Sequence, residues 1–434
     1  MKNERANSQF TEKLYETDGM LNEFEATVIG IHELCGENGQ QFFGIELDRT
    51  AFFPEGGGQG GDRGYIGESV IFDTQTDEDG KILHYTKEVP GDCTEGSKVH
   101  CRLDFDLRFR RMQNHGAEHL LCGLIHNRFG YENSGFHMSD TGTCQVVFDA
   151  DGPLSAAEIA EIELQANRVI YQNLPITIGF PDEATARELN YRSKLDTFCD
   201  IRLVTIEGID VCACCAPQLN RTGQIGAVKI IDFMPHRGGM RMTMVAGINA
   251  YEDYLKLHED NGAIMALLSS KREATAEFTK DFLGKFTSLK EENTSLKKEM
   301  VEVISASEIS RILSSRSSDT GNTEDFFEFE GNRIDVIFTE HLDGTGLRNL
   351  INNCLKKCGG FIAGFCPKSE DSYTYIVGKS EDTDSDILPA LAKELNEKYS
   401  GRGGGNSAMI QGTVEKSSQF LSDMVSYVIS IPNA

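Results

Sequence analysis

Two histidines and a cluster of thiols are the residues whose types and spacing can do chemistry in this chain. His115 and His119 stand in RMQNHGAEHLLCGL. With three residues between them on a helix, both imidazoles lie on one face and make half of a metal site. Nearly a hundred residues later, CACCAPQLNRTGQIG supplies Cys212, Cys214 and Cys215. Imidazole and thiolate together suit zinc better than magnesium or calcium. Two or three such ligands with an open position form a hydrolytic site, in which bound water is acidified from ~15.7 to about 7. Taken singly, either element fits packed or surface histidines and inert thiols better than a metal site, because short motifs recur by chance.

A third element lies upstream, TAFFPEGGGQGGDRGYIG at residues 50–67. Gly56, Gly57 and Gly58 make a flexible turn, or a place where backbone amides approach a ligand closely and present Gln59 or Thr50 to it. GGQ also occurs in release factors that hydrolyse peptidyl-tRNA, a convergent echo. Taken in order, this run, then His115 and His119, then Cys214 followed by TGQIG at 222–226 resemble the editing region of alanyl-tRNA synthetase. GGGN at 403–406 with Gln411 and Gly412 resembles the glycine-rich signature of that enzyme's C-terminal, DHHA1-type domain. The arrangement as a whole is similar to the long form of the AlaX family, free-standing editors of mischarged alanyl-tRNA.

The resemblance implies a deacylase acting on seryl or glycyl esters of alanine-specific tRNA, assisted by Zn2+. It implies His115, His119 and Cys214 as metal ligands and Thr50 as the group set against the serine hydroxyl. With Gln59 and the two histidines, Thr50 completes the candidate catalytic set. A polar pocket rejects a side chain that lacks its hydroxyl partner. One position departs from the family: the histidine four residues after the cysteine is Gln218 here. The fourth ligand is then Gln218, water, Cys212 or Cys215, or the site is degenerate and metal-free. A non-catalytic tRNA-binding or regulatory protein is the alternative function. The stretch ahead of Thr50 is too short for an adenylating core, so amino acid activation with ATP is not expected.

At 434 residues the chain is long enough for two to four domains. No apolar stretch reaches the ~18 residues of a membrane span, and the N-terminus lacks an apolar signal region; a cytoplasmic protein with no membrane contact is expected. Twelve scattered cysteines fit reduced thiols and one metal site better than a disulfide framework. A formal charge of −26 is awkward for a tRNA partner, so complementarity has to be local. Arg102, Arg108, Arg110 and Arg111 lead into the histidine helix. They suit phosphate contact or pairing with Asp104 and Asp106.

The elements that must position these residues form an α+β protein. Short β runs such as FEATVIGIHE, QQFFGIELDRTAFF and KILHYTKEV predict an N-terminal β-barrel over 1–98. Residues 99–250 alternate helical runs, HGAEHLLCGLIHNRF and AAEIAEIELQANRVIYQN, with strand-like ones, an α+β zinc-binding editing domain. His126 and His137 are read as structural. A long helix is predicted from about 252 to 315, with linker SSRSSDTGNTED completing a segment 251–322. Phe282, Phe286, Leu289, Asn293, Leu296, Met300 and Val303 follow heptad spacing, a coiled-coil seam for a homodimer or an intramolecular hairpin. Residues 323–434 read as an α/β DHHA1-like domain whose GRGGGNSAMIQG is a glycine-rich loop.

Overall fold

The computed structural model describes residues 11–36, 39–91, 93–139, 142–150, 152–193, 198–317 and 325–416. Its first part is a barrel. Strands β2 (Glu23–Cys35), β3 (Gln41–Leu47), β5 (Gly64–Ile66), β6 (Ser69–Thr76), β7 (Ile82–Thr86) and β8 (Lys98–Leu103) close in the order β2-β3-β7-β6-β5-β8. All neighbours are antiparallel. Period-2 alternation fills the interior: KVHCRL of β8 buries Val99, Cys101 and Leu103 and exposes the residues between. Two short strands, β1 (Glu12–Lys13) and β4 (Arg49–Thr50), pair in parallel beside it. The barrel's last strand runs past residue 98, so the barrel ends later than the sequence suggested.

Helix α1 (Phe105–Phe129) begins directly after β8. Asp104 caps it by accepting from the Leu107 amide at 3.2 Å, and Gly130 ends it at φ 72°. Arg108, Arg111, His115 and His119 recur at three- and four-residue intervals, so they share one side of the helix, and all four are buried. The Arg108 guanidinium, fully buried, pairs with Asp62 of the barrel and donates to the Gly19 and Ala51 carbonyls. Arg111 donates to the Gly60 and Gly61 carbonyls at 3.1 and 2.7 Å. Arg110 grips Glu252 through two bonds of 2.7 Å, and Arg102 lies over the Tyr65 ring. These arginines therefore tie segments of the protein together, with Asp62 and Glu252 as partners in place of Asp104 and Asp106.

Beyond α1, strands β9 (Glu132–Met138), β10 (Cys144–Asp149), β14 (Val228–His236) and β15 (Gly239–Ala246) form an antiparallel sheet in the order β14-β15-β10-β9. Helix α2 (Ala156–Gln172), started by a Ser155–Glu158 capping box, shares one core with α1 and this sheet. A smaller antiparallel sheet joins β11 (Ile176–Gly179), β12 (Leu203–Ile206) and β13 (Asp210–Ala213), with α3 (Glu183–Glu188) between the first two in sequence. Helix α4 (Gly247–Leu268) follows. The chain divides into two compact units, Met1–Ala263 and Ile264–Ala434.

The long helix expected from 252 to 315 is two helices. Ser269, at φ 51°, breaks it, and α5 (Thr275–Ser317) starts after a short turn. In the second unit β16 (Phe326–Phe329), β17 (Asn332–Phe338), β18 (Phe361–Ser369), β19 (Ser372–Lys379), β20 (Arg402–Gly405) and β21 (Met409–Glu415) form one sheet, ordered β16-β17-β18-β19-β21-β20. Only β17 and β18 run parallel, with α6 (Gly344–Cys358) connecting them. Helix α7 (Leu388–Lys398) packs its Leu391 and Leu395 into the core beside Tyr375 and Val377. The expected glycine-rich loop is a hairpin, with Gly403 opposite Gly412. The C-terminal part of α5 buries Val301 and Ile312 against α6, whereas Phe282, Phe286, Leu289 and Leu296 are exposed. The linker residues 318–324 and the tail 417–434 lie outside the described residues. Among the described residues no helix is long and apolar enough to cross a membrane.

Removing one partner of a buried ion pair leaves an uncompensated charge, which costs about 3–5 kcal/mol. Arg108→Met should lower the unfolding free energy by that order in urea titration at pH 7. Adding Asp62→Leu to Arg108→Met should recover part of the loss.

Candidate metal centre

The structure brings His115, His119 and Cys214 together: one ligand atom from each lies within 4.8 Å of the others. The rings of His115 and His119 stack at 5.2 Å, as expected for side chains one turn apart. Cys214 comes from the loop after β13, and its Sγ is 3.5 Å from His115 Nε2. Arg202 holds that loop in place by donating to the Cys214 carbonyl at 2.6 Å and the Ala216 carbonyl at 3.0 Å.

Each histidine is oriented through Nδ1 by an acceptor from another element. His115 Nδ1 donates to Gln59 Oε1 at 2.9 Å, and His119 Nδ1 donates to Asp210 Oδ2 at 3.1 Å. Both Nε2 atoms are thereby left as ligand atoms. Asp210 is itself fixed by Arg192, which reaches both carboxylate oxygens at 2.8 Å. Arg192 can do so because its backbone bonds to Val211 and Ala213 beside β13. Gly123 allows α1 to lie against this turn, since a Cβ there would sit 2.5 Å from the Ile209 carbonyl oxygen.

The glycine turn ahead of Gln59 works in the same way. Gly58, at φ 85°, sits so close to β9 that a Cβ would be 2.2 Å from the Phe136 carbonyl oxygen. Its own carbonyl accepts from Met138 N at 2.8 Å. The close approach that glycine permits here is to a neighbouring strand, and its result is a fully buried Gln59 aimed at His115.

Gln218 is also buried at the site, with Nε2 3.5 Å from Cys214 Sγ and Oε1 lacking any partner. His119 Nε2 is likewise buried without one. Burial alone would raise the Cys214 thiol, but the neighbouring His115 and His119 outweigh it and hold the thiol well below its ordinary range. Burial would lower His119; its bond to Asp210 and the nearby Cys212 and Cys214 sulfurs raise it well above the ordinary imidazole range. A stabilised thiolate, two Nε2 donors and an orphaned amide oxygen gathered within a few ångströms are the donor set that a zinc ion fits. Cys212 lies beside His119 and Asp210, whereas Cys215 is exposed. His126 and His137 belong to neither ligand group among the described residues.

Thr50 is elsewhere. It is fully buried in the barrel, where Oγ1 is 2.8 Å from His84 Nε2 and accepts from Phe52 N at 3.0 Å. The barrel wall does reach the thiol loop: Tyr15, Phe53, Ile82 and Ala216 cluster with Cys214 packed against them. Asp210, Arg192 and His84 were not singled out in the sequence. His84 stands in a short β-type run, ILHYT, that is buried nearly throughout, so no alternation marks it in the sequence.

Two families match this chain: tRNA synthetases class II (A) over residues 6–107, and the threonyl and alanyl tRNA synthetase second additional domain over residues 201–245. The alanyl-tRNA editing protein AlaX-L of Pyrococcus horikoshii is 24% identical over 432 residues, which is 95% of this chain and 97% of that protein. The alanine–tRNA ligase of Methanopyrus kandleri is 28% identical over 93% of this chain and 42% of the ligase. That of Halobacterium salinarum is 30% identical over 67% of this chain and 32% of the ligase. The chain thus spans less than half the length of these ligases. The resemblance carried by four short motifs extends end to end, and the chain is similar along nearly its whole length to a long AlaX-type alanyl-tRNA editing protein.

Proposed function

We propose that this protein is a trans-acting hydrolase that deacylates mischarged alanine-specific tRNA in the cytoplasm. The observation that carries the reading is the convergence of His115, His119 and Cys214, two elements nearly a hundred residues apart in sequence, on one buried point. Its support in kind is the end-to-end similarity to an alanyl-tRNA editing protein. His115 Nε2, His119 Nε2 and Cys214 Sγ would hold zinc, with Gln218 Oε1 as a weak fourth donor. Bound there, zinc supplies Lewis-acid polarisation of the ester carbonyl and an acidified water.

The chain's own residues have separate tasks. Gln59 and Asp210 keep the two rings in the tautomers that leave Nε2 available. The Gln218 amide donates to the Cys214 sulfur and closes that side of the site. The barrel side of the site would receive the aminoacyl group, and Thr50 would select a side chain with a hydroxyl. A binding-only role has one observation in its favour, the amide at Gln218 where the family carries an imidazole, and metal content separates the two. The exposed stripe from Phe282 to Leu296 on α5 would pair two copies, and the second unit would add tRNA contact.

Protein purified without chelator should carry about one zinc per chain, and His119→Ala should lose it, as elemental analysis will report. Binding must displace the proton that His119 retains, so affinity should fall on acidification, by about tenfold per pH unit while that proton is still to be displaced. A competition titration with a chromogenic chelator at pH 8 and pH 6 checks the sign.

Seryl-tRNA specific for alanine should be deacylated far faster than alanyl-tRNA. Loss of one buried hydrogen bond is worth roughly 1–3 kcal/mol, so Thr50→Val should narrow that preference about five- to hundredfold. Equal hydrolysis of both esters by the unaltered protein would remove the editing assignment.

A chain ending at Ala263, the limit of the first compact unit, should stay folded, keep its zinc and cleave the ester. It should be monomeric and bind tRNA more weakly, whereas the full chain should be a dimer by light scattering. A monomeric full chain at micromolar concentration would exclude the α5 seam.

A further inference from the structure

His84 lies in the barrel interior with no part in the chemistry above, and it is fully buried. It sits opposite Ile45 in the β3–β7 register, and its Nδ1 is 2.7 Å from the Ile45 carbonyl oxygen. A carbonyl only accepts, so Nδ1 carries the ring proton. Burial also keeps the ring neutral, with its pKa pulled down to about 4. Nε2 is then a bare acceptor, and the atom facing it at 2.8 Å is Thr50 Oγ1. The hydroxyl proton of Thr50 must therefore point at His84. The same oxygen accepts from Phe52 N at 3.0 Å, which uses one lone pair. Phe52 also stands edge-on to the imidazole at 5.2 Å. What Thr50 retains for any further partner is one lone pair and no proton.

We infer that His84 is a positioning residue that makes Thr50 a hydrogen-bond acceptor only, so that Thr50 recognises an acyl side chain by its O–H donor and refuses one that can merely accept. This deepens the proposed editing function and rests on the role given there to Thr50. Polarity alone does not satisfy such a group. Serine meets it by donating; alanine leaves the lone pair unmatched; O-methylserine brings a second acceptor and is repelled although it carries the same oxygen. The barrel wall that carries His84 also reaches the thiol loop. Ile82, two residues before His84 on the same face of β7, belongs to the cluster against which Cys214 packs.

Two measurements on the full chain test this. The first is long-range 1H–15N NMR of histidine-labelled protein at pH 7, with the His84 signals assigned by their loss in His84→Phe or, should that variant not fold, in His84→Gln. A ring protonated on Nδ1 with a bare Nε2 is expected. The opposite tautomer, or an imidazolium, overturns the inference whatever the protein's activity proves to be.

The second is the ratio of deacylation rates for seryl- and O-methylseryl-tRNA. It should be large in the unaltered protein and fall about tenfold in His84→Phe, where the Thr50 proton is free to turn toward the pocket. In a Thr50→Val background His84→Phe should leave the ratio unaltered. A protein that cleaves neither ester refutes the editing reading, and the tautomer then judges the polarity by itself. A protein that prefers seryl- to alanyl-tRNA, yet cleaves O-methylseryl-tRNA equally well or keeps its ratio in folded His84→Phe, retains the function and refutes the role of His84.

Discussion

The buried ion pair between Arg108 and Asp62 is the contact on which the rest of the site depends. Arg108 is fully buried, so its charge is tolerable only because Asp62 and the Gly19 and Ala51 carbonyls surround it. Asp62 in turn accepts from Phe53 N at 2.7 Å. One guanidinium thus pins three separate pieces of the barrel against α1: the N-terminal segment, the chain just after Thr50 and the end of the glycine turn. His115 lies seven residues beyond Arg108 on the same side of the helix, so this fastening fixes how Gln59 meets the first histidine.

The second constraint is protonic. A histidine ligand is useful only if the correct nitrogen is bare, and in this protein that choice is made at a distance for three rings. Gln59 decides it for His115, Asp210 for His119 and the Ile45 carbonyl for His84. The partners come from the glycine turn, the small sheet and a barrel strand, so the tertiary fold sets the tautomers. Asp210 illustrates what this requires. Burial alone would raise its carboxyl, yet its bonds to His119 and Arg192 hold it below the usual carboxylate range. It remains a carboxylate that can orient His119.

What was legible in the sequence followed local periodicity. The inward alternation of the β runs pointed to the barrel, and the spacing of His115 and His119 on an apolar helix pointed to two members of the candidate metal centre. Cys214 was readable from its run. The misreadings share a cause, which is that long-range partners decide what local pattern leaves open. The arginines before His115 fit phosphate contact or pairing with Asp104 and Asp106, and the partner Arg108 finds is Asp62, forty-six residues away. GRGGGNSAMIQG looks like a loop because glycine carries no strand propensity, but β21 has β19 as its other neighbour and recruits it as an edge strand. The break after α4 falls on Ser269 in a left-handed conformation, with no glycine or proline to announce it.

The central claim is a mixed nitrogen and sulfur zinc site built from His115, His119 and Cys214. Zinc-edge X-ray absorption on the full chain tests it most directly. The account expects one sulfur scatterer at about 2.3 Å and two imidazole nitrogens at about 2.0–2.1 Å, with a remaining light donor. In Cys214→Ser the sulfur shell should vanish. A zinc shell with no sulfur, or with several sulfurs and no imidazole, would contradict it.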